Sequence, residues 1–318
     1  VCSSDLMKLS EIVAYINHID QEDMHPPFDV ILHQAAAVLD TIVNKPHKID
    51  SFSDDLSSDF NKIVDSIQQF EGTLSALKSR LKEIVSDLEP QYYAASQSLY
   101  EDEMIYETNE YILNRRLSWP AAARQQLAER IRLYTDWRVP GMVLRPGRED
   151  YIETLVPLDP LYIIDQDLEL LQDCLSKFDI AYQRRLRQYV IDDRQPGEIF
   201  GLLPNKQFGF VFALNYFNYK PIDLIFRYLD EIYEKLRPGG RIIFTYNDCD
   251  FANAVKLAEQ CMMCYTPGHR IKNHAESLGF EIQVSFADPP TAAWLELKKP
   301  GEIESLRGGQ TLAKIIPK

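Results

Sequence analysis

Acidic and amide side chains that could hold a small polar ligand follow three apolar stretches of the sequence. Asp165 and Gln166 come after Leu-Tyr-Ile-Ile, Asn215 after Phe-Gly-Phe-Val-Phe-Ala-Leu, and Asn247-Asp248 after an equally apolar run. In a doubly wound parallel sheet, ligands bind outside the carboxyl ends of the strands, where the strand order reverses. We therefore expect these residues to meet at one edge of a sheet.

Strands and helices alternate over the second half of the chain, as this placement requires. The apolar run 208–214 is too short for a helix, and 222–236 has one apolar face at helical spacing. Arg-Pro-Gly-Gly at 237–240 predicts a turn before the next strand, which makes the segment a right-handed βαβ unit. A further helix is predicted at 168–182, and the predicted strands are 139–144, 161–164, 189–191, 208–214, 241–246, 280–286 and 293–297.

The segment 208–248 resembles the fourth and fifth strands of class I S-adenosylmethionine-dependent methyltransferases. The resemblance rests on Leu-Arg-Pro-Gly-Gly between the helix and the strand Arg-Ile-Ile-Phe-Thr-Tyr, and it extends over about 139–318 in the order of elements. It implies an α/β fold with a Rossmann-like seven-stranded sheet, whose last two strands form an antiparallel hairpin at one edge. It also implies S-adenosylmethionine as the cofactor.

The same resemblance assigns cofactor-binding positions. In this family, the acidic residue at the end of the second strand accepts hydrogen bonds from both ribose hydroxyls, because a carboxylate has two acceptor oxygens. Asp165 occupies that position. The other interpretation is that Asp165 only caps the following helix. Of the family's glycine-rich loop only Gly147 remains, between Arg145 and Arg148, and an arginine there contacts the methionine carboxylate or fills the site. The other expected cofactor contacts are Gln166, Asp192 and Asn215.

Substrate contacts are expected in the loops after the fourth and fifth strands, at Tyr216, Asn218, Asn247, Asp248 and Tyr265. His269 is a candidate general base because histidine titrates nearest neutral pH, although a lone histidine at a helix start is more often solvated or capping. The loop after the fourth strand lacks the Asp/Asn-Pro-Pro-Tyr/Phe motif of amino-methylating enzymes, so nucleic acid is not expected as the acceptor. Cys261 and Cys264 have no second ligand pair, so no metal site is expected.

Residues 7–137 are predicted to form a helical domain, and 138–318 the methyltransferase-like domain. Apolar residues alternate at intervals of four and three from Leu56 to Leu88, a heptad pattern that Pro90 is expected to end. Further helices are predicted at 91–117 and after Pro120. The heptad stripe favours either a helical hairpin or a coiled coil that joins copies of the chain.

Residues 1–136 carry 23 acidic and 12 basic residues, an acidic balance that disfavours binding to a phosphate backbone there. Val1–Leu6 match the translated end of a sequencing adapter, and Met7 is the expected start. No stretch is long and apolar enough for a membrane span, and we expect a cytoplasmic protein. A long helical arm on such a domain is similar to proteins of tailed phages.

Two functions follow from the sequence. The first is a methyltransferase that uses S-adenosylmethionine on a small molecule, a sugar or a peptide side chain. The alternative is a methyltransferase-like domain without activity, which serves as a structural or interaction protein and assembles through its coiled coil. A nucleotide-binding oxidoreductase is disfavoured because Gly-x-Gly-x-x-Gly is absent.

Overall fold

The computed structural model describes residues 9–22, 53–101, 121–146, 152–288 and 292–302. Val1–Leu6, Gly147 and Arg148 lie outside these ranges. The chain divides into two compact units, Val1–Pro90 and Gln91–Lys318. Residues 91–137, which the sequence analysis groups with the helical domain, fall in the second unit. None of the described helices has the length and apolar character needed to cross a membrane.

The N-terminal part of the chain is helical where it is described. Helix α1 is Leu9–Glu22, and helix α2 is Ser53–Glu101, which contains the predicted heptad segment. The expected end at Pro90 is wrong, because α2 continues through it. Pro90 and Ser86 are exposed, so water can take the hydrogen bond that proline cannot make. Coiled-coil pairing of the stripe stays a prediction.

The second unit is built on one mixed sheet of seven strands, in the order β3-β2-β1-β4-β5-β7-β6. The pairs among β1 to β5 are parallel, and β7 runs antiparallel between β5 and β6. This confirms the predicted α/β sheet with an antiparallel hairpin at one edge. The strands are β1 Gly141–Leu144, β2 Leu161–Asp165, β3 Leu186–Val190, β4 Phe208–Ala213, β5 Leu236–Thr245, β6 Glu281–Asp288 and β7 Ala292–Lys298.

Helices cover the connections between these strands. The predicted helix 168–182 is two helices, because Asp179 caps a new one by accepting a hydrogen bond from the backbone N–H of Ala181. The helices of this unit after α2 are α3 Ala121–Tyr134, α4 Ile152–Leu155, α5 Leu168–Ser176, α6 Ile180–Gln183, α7 Ile222–Lys235, α8 Ala252–Glu259 and α9 Gly268–Ser277.

The predicted turn at 237–240 belongs to strand β5. Its register against β4 shifts between Phe208 and Phe210, so the Pro-Gly-Gly sequence forms a bulge inside the strand. Gly239 has a φ of 76°, which a residue with a side chain rarely adopts. The prediction of a turn failed because a bulge and a turn use the same residues.

Apolar residues cover both faces of the sheet. Along β4, Phe208 and Val211 belong to one core cluster, and Phe210 and Phe212 to the cluster on the other face. A strand that is covered on both faces has no polar alternation, which explains the unbroken apolar run.

Helix α3 is joined to the sheet through the buried carboxylate of Glu296 on β7. Its oxygens accept hydrogen bonds from Arg130 Nε at 2.7 Å, Tyr134 Oη at 2.8 Å and Arg241 Nη1 at 2.7 Å. Burial, with Glu296 adjacent, raises the pKa of Tyr134 to about 12. The phenol therefore remains a donor at neutral pH.

The bulge generates a stability prediction at Gly240. A Cβ at this position would lie 2.8 Å from the carbonyl oxygen of Phe208 and 2.9 Å from that of Arg237. Because both contacts are backbone, we expect Gly240→Ala to lower the free energy of unfolding by about 1–3 kcal/mol in urea denaturation. Gly201→Ala is the control, since its nearest contact would be an ordinary 3.4 Å. Equal stability of the two variants would contradict this account of the bulge.

Candidate functional site

The strand order reverses at β1, which lies between β2 and β4. A crevice for a ligand is expected at this point of a parallel sheet. Arg145 directly follows β1 with a φ of 51°, and Asn215 lies just beyond β4 with a φ of 50°. Left-handed backbone at residues other than glycine stores strain, and such residues cluster at ligand sites. Two of the four such residues in the described part of the chain therefore lie at the switch point, and Lys206 and Cys261 lie elsewhere.

Asp165 ends the neighbouring strand β2 and is only 2 % exposed. Its Oδ1 accepts hydrogen bonds from the backbone N–H of Gln166 at 2.7 Å and of Asp167 at 3.2 Å. Its Oδ2 is buried and has no hydrogen-bond partner among the described residues. Burial raises the pKa of Asp165, against the opposing charge of Arg145. A ligand with a hydroxyl donor would satisfy this oxygen.

A second buried carboxylate, Asp193, lies beyond the next strand and is 1 % exposed. Lys220 Nζ donates to its Oδ2 at 2.8 Å, and Tyr228 Oη donates to the same oxygen at 2.7 Å. Its Oδ1 accepts hydrogen bonds from Tyr100 Oη and Gln166 Nε2. Burial alone would raise the pKa of Asp193, but the Lys220 ammonium outweighs burial and lowers it.

We call Tyr100, Gln166, Asp193, Lys220 and Tyr228 the polar cluster. Gln166 is the one member that the sequence analysis assigned to the cofactor site, and its Oε1 also accepts a hydrogen bond from Lys220 Nζ at 2.8 Å. The cluster joins the loops after β2, β3 and β4 to the end of helix α2. Lys220 was missed, although a lysine between a buried strand and a helix is a visible signal.

The predicted cofactor residue Asp192 is exposed, and its Oδ1 accepts a hydrogen bond from the backbone N–H of Arg194 at 3.1 Å. The neighbouring Asp193 carries the buried carboxylate instead. Which of two adjacent acids points inward depends on the register just after β3, and β3 is an edge strand with little apolar patterning.

The predicted substrate residues after β4 are buried and hydrogen-bonded within the protein. Tyr216 Oη lies 2.6 Å from Tyr228 Oη, which links it to the polar cluster. Asn218 Oδ1 accepts a hydrogen bond from Thr245 Oγ1 at 2.9 Å, and the same hydroxyl accepts one from the backbone N–H of Asn215 at 2.6 Å. These side chains hold the loop after β4 against β5.

The predicted residues after β5 also make internal contacts. Asn247 Nδ2 donates to the carbonyl oxygens of Ala254 and Cys264, each at 3.0 Å. Asp248 accepts a hydrogen bond from Tyr246 Oη at 2.8 Å, and burial, with the nearby charge of Asp250, raises its pKa. These contacts fix the course of the loop that leads into α9.

Tyr265 is buried against the end of α2. Its ring centroid lies 5.2 Å from that of Tyr92 and 5.5 Å from that of Tyr93. His269, the predicted base, is 59 % exposed in its side chain, and its Nδ1 lies 2.7 Å from Asp250 Oδ1. The structure thus places Tyr265 under a helix and His269 in a surface pair. Among the described residues, no group of three or more His, Cys, Asp or Glu side chains could hold a metal ion.

The two buried aspartates predict opposite stability effects. Ionised Asp165 is destabilised by burial, so we expect Asp165→Asn to raise the free energy of unfolding at pH 7 by about 1 kcal/mol. Asp193→Asn leaves the buried Lys220 without its carboxylate, and we expect a loss of about 3–5 kcal/mol. Chemical denaturation of both variants measures these differences.

The pH dependence follows from the directions of the two pKa shifts. The lowered pKa of Asp193 means that its stabilisation is present above its ordinary value of 3.8 and is lost as the pH falls through the lowered value. The raised pKa of Asp165 means that the free-energy cost of its buried charge disappears when the carboxylate is protonated, as the pH falls through that raised value. Both variants should therefore approach the wild-type stability in acid. A destabilised Asp165→Asn would contradict the assignment of an unsatisfied carboxylate.

No family model matches the sequence, and no curated protein matches it. Solved structures with similar folds include an S-adenosylmethionine-dependent methyltransferase from Mesorhizobium loti, with 11 % identity and a TM-score of 0.45 over 56 % of this chain and 99 % of that one. Another, from Archaeoglobus fulgidus, has 12 % identity and a TM-score of 0.45 over 60 % and 100 %. A third is the [4+2]-cyclase SpnF, with 13 % identity and a TM-score of 0.41 over 55 % and 80 %. At such identities and TM-scores these likenesses carry no argument about activity.

Proposed function

We propose that the switch point binds S-adenosylmethionine and that the protein is a methyltransferase. The observation that carries the proposal is the buried Oδ2 of Asp165, which has no partner among the described residues. A buried acceptor left without a hydrogen bond costs about 1–3 kcal/mol. A ribose hydroxyl would remove that cost. The position at the carboxyl end of β2 is the one that the sequence resemblance assigns to the ribose ligand.

The residues around Asp165 fit the other polar parts of such a ligand. The charge of Arg145 opposes the raised pKa of Asp165, so a positive charge lies near this carboxylate. A ligand carboxylate bound beside Asp165 would meet the same positive charge. Asn215 lies just beyond β4, on the other side of β1 from Asp165. S-adenosylmethionine supplies a methyl group that is already activated by its sulfonium. The protein then has to bind, orient and exclude water rather than activate the donor.

For the methyl acceptor we propose a small molecule, a sugar or a peptide side chain. Tyr216, Asn218, Asn247 and Asp248 make hydrogen bonds within the protein, so their role is to hold the loops after β4 and β5 in place. The titratable pair at the surface of this region is His269 with Asp250. For an acceptor that has to lose a proton, we propose His269, paired with Asp250, as the general base.

A binding experiment tests the ribose assignment. Asp165→Asn keeps an oxygen for the backbone N–H groups of Gln166 and Asp167 but replaces the second oxygen with an amide donor. Losing one charge-assisted hydrogen bond predicts S-adenosylmethionine binding about 10- to 100-fold weaker in isothermal titration calorimetry.

Asp173→Asn is the matched control, because Asp173 lies on the following helix α5 in a half-exposed pair with Lys177. Its affinity should equal that of the wild type. Unchanged affinity in Asp165→Asn would overturn the ribose assignment. If the wild type and Asp165→Asn both fail to bind, the protein is the structural alternative without cofactor.

We also propose that the heptad stripe of α2 joins two copies of the chain. Phe70 is 65 % exposed and Leu77 50 % exposed, although both occupy the stripe. Large apolar side chains in a row on a helix surface favour association.

The assembly proposal predicts a change of mass in Leu77→Glu. Burying the introduced carboxylate between two apolar helices is unfavourable, because no positive charge compensates for its removal from water. The two copies should therefore separate, and this variant should be a monomer. Light scattering after size exclusion, at two protein concentrations, measures it. Lys82→Glu is the control, since Lys82 is exposed and lies outside the stripe. A wild-type monomer at both concentrations would contradict the proposal.

A further inference from the structure

The last turns of α2, residues 92–101, cross the edge of the sheet where the candidate site lies. Tyr92 Oη donates to Glu259 Oε1 at 3.1 Å, and Arg270 Nη1 donates to Tyr93 Oη at 2.6 Å. Ser96 Oγ accepts a hydrogen bond from the backbone N–H of Tyr265 at 2.7 Å. One short stretch of helix therefore contacts α8, α9 and the loop between them.

Tyr100 extends the same contact to the loops after β2, β3 and β4. Its hydroxyl donates to Asp193 Oδ1, and Gln166 Nε2 lies 3.4 Å from that hydroxyl. Lys220 Nζ lies 4.7 Å from the centre of the Tyr100 ring, within the range of a cation–π contact. Tyr100 thus covers the charged pair of Lys220 and Asp193, and these two residues are 4 % and 1 % exposed.

Gln166 brings the polar cluster next to Asp165. Gln166 immediately follows Asp165, and it contacts Asp193 and Lys220 directly. The loops after three strands therefore touch one another at the ends of those strands. A ligand that reaches Asp165 from this side has to separate them first.

A cavity of about 400 Å³ lies on the outer side of Tyr100. Its volume is within the range of small-molecule pockets, about 300–1,000 Å³. Tyr100 and Asp193 line it and also belong to the polar cluster, so the cavity adjoins this cluster, and Gln166 is not among its lining residues. The other lining residues include Gln97, Arg194 and Leu224.

The hydrogen bonds along α2 differ in strength. The hydroxyls of Tyr92 and Tyr93 make their hydrogen bonds to Glu259 and Arg270 nearer to the surface, where a polar contact contributes little to the stability of the fold. Tyr100 makes a buried hydrogen bond to an ionised carboxylate, which is the stronger kind. Pro90 lies at the start of these turns and removes one backbone hydrogen bond from the helix. Among the tyrosine hydroxyls of this segment, that of Tyr100 therefore makes the strongest hydrogen bond, while Ser96 and the rings of Tyr92 and Tyr93 hold the preceding turn against Tyr265.

We propose that residues 92–101 form a lid over the nucleoside end of the site, and that the hydrogen bond from Tyr100 to Asp193 is its latch. The inference rests on the proposed function, because it names how S-adenosylmethionine gains access. Opening moves Tyr100 away from Asp193 and joins the cavity to the space beside Gln166 and Asp165. Closing restores the buried pair of Lys220 and Asp193 under the tyrosine ring.

Tyr100→Phe tests the latch, because it removes the hydroxyl and keeps the ring. In the full-length protein we expect S-adenosylmethionine to associate about tenfold faster or more, measured by surface plasmon resonance. Tyr93→Phe is the matched control, since it removes a hydroxyl from the same helix without touching the polar cluster. Amide hydrogen exchange of residues 92–101 without ligand should be faster in Tyr100→Phe and unchanged in Tyr93→Phe.

The outcomes separate the lid from the proposed function. Equal association rates for wild type and Tyr100→Phe, with binding intact, overturn the lid alone. Binding by both proteins, with faster association in Tyr100→Phe than in the wild type, supports both. No binding by the wild type, Tyr100→Phe or Tyr100→Ala overturns both. Unchanged hydrogen exchange in Tyr100→Phe overturns the latch, because the helix would then be held elsewhere.

Discussion

The candidate site depends on the burial of one charge pair, Lys220 with Asp193. Removing two charges from water is unfavourable unless their hydrogen-bonding capacity is satisfied, and a half-satisfied pair is worse than none. Tyr100, Gln166 and Tyr228 complete the hydrogen bonds, and they come from α2, the loop after β2 and helix α7. The requirement to satisfy this pair therefore sets the positions of several loops relative to one another. It also explains why a tyrosine from a helix outside the sheet is part of the site.

Asp165 is the opposite case on the neighbouring strand. It is as deeply buried as Asp193, yet one of its oxygens has no partner in the described part of the chain. The two buried carboxylates therefore differ in hydrogen bonding: both oxygens of Asp193 accept hydrogen bonds, whereas Oδ2 of Asp165 has no partner among the described residues. Proteins retain such destabilising groups where a ligand compensates for them. The left-handed backbone at Arg145 and Asn215, just after β1 and β4, is a second unfavourable feature of this part of the sheet.

The elements that the sequence predicted well are those with strong local patterns. The buried run of β4, the amphipathic α7 and the order of the seven strands need only periodicity and a family resemblance to recognise. The position of Asp165 at the carboxyl end of β2 was predictable because an apolar run ends at this residue. Tyr100 and Lys220 were missed because their contacts join residues far apart in the chain, which no local pattern encodes. The helix was expected to end at Pro90, but the packing of the following turns outweighs the missing hydrogen bond. The glycines at 239 and 240 were expected to form a turn, but a bulge uses the same residues.

The carboxylate of Glu296 has a consequence for the order in which the protein forms during synthesis. Arg130 and Tyr134 leave the ribosome more than 160 residues before the group that they bind. At about 5–20 residues per second, α3 waits roughly 10–30 s for its partner. Until β7 pairs with β5, the helix lacks its ionic contact with the sheet, although β1 and β4 already offer part of the apolar face on which it packs. The C-terminal hairpin is thus the step that completes the domain, and the nascent chain has to remain soluble without it.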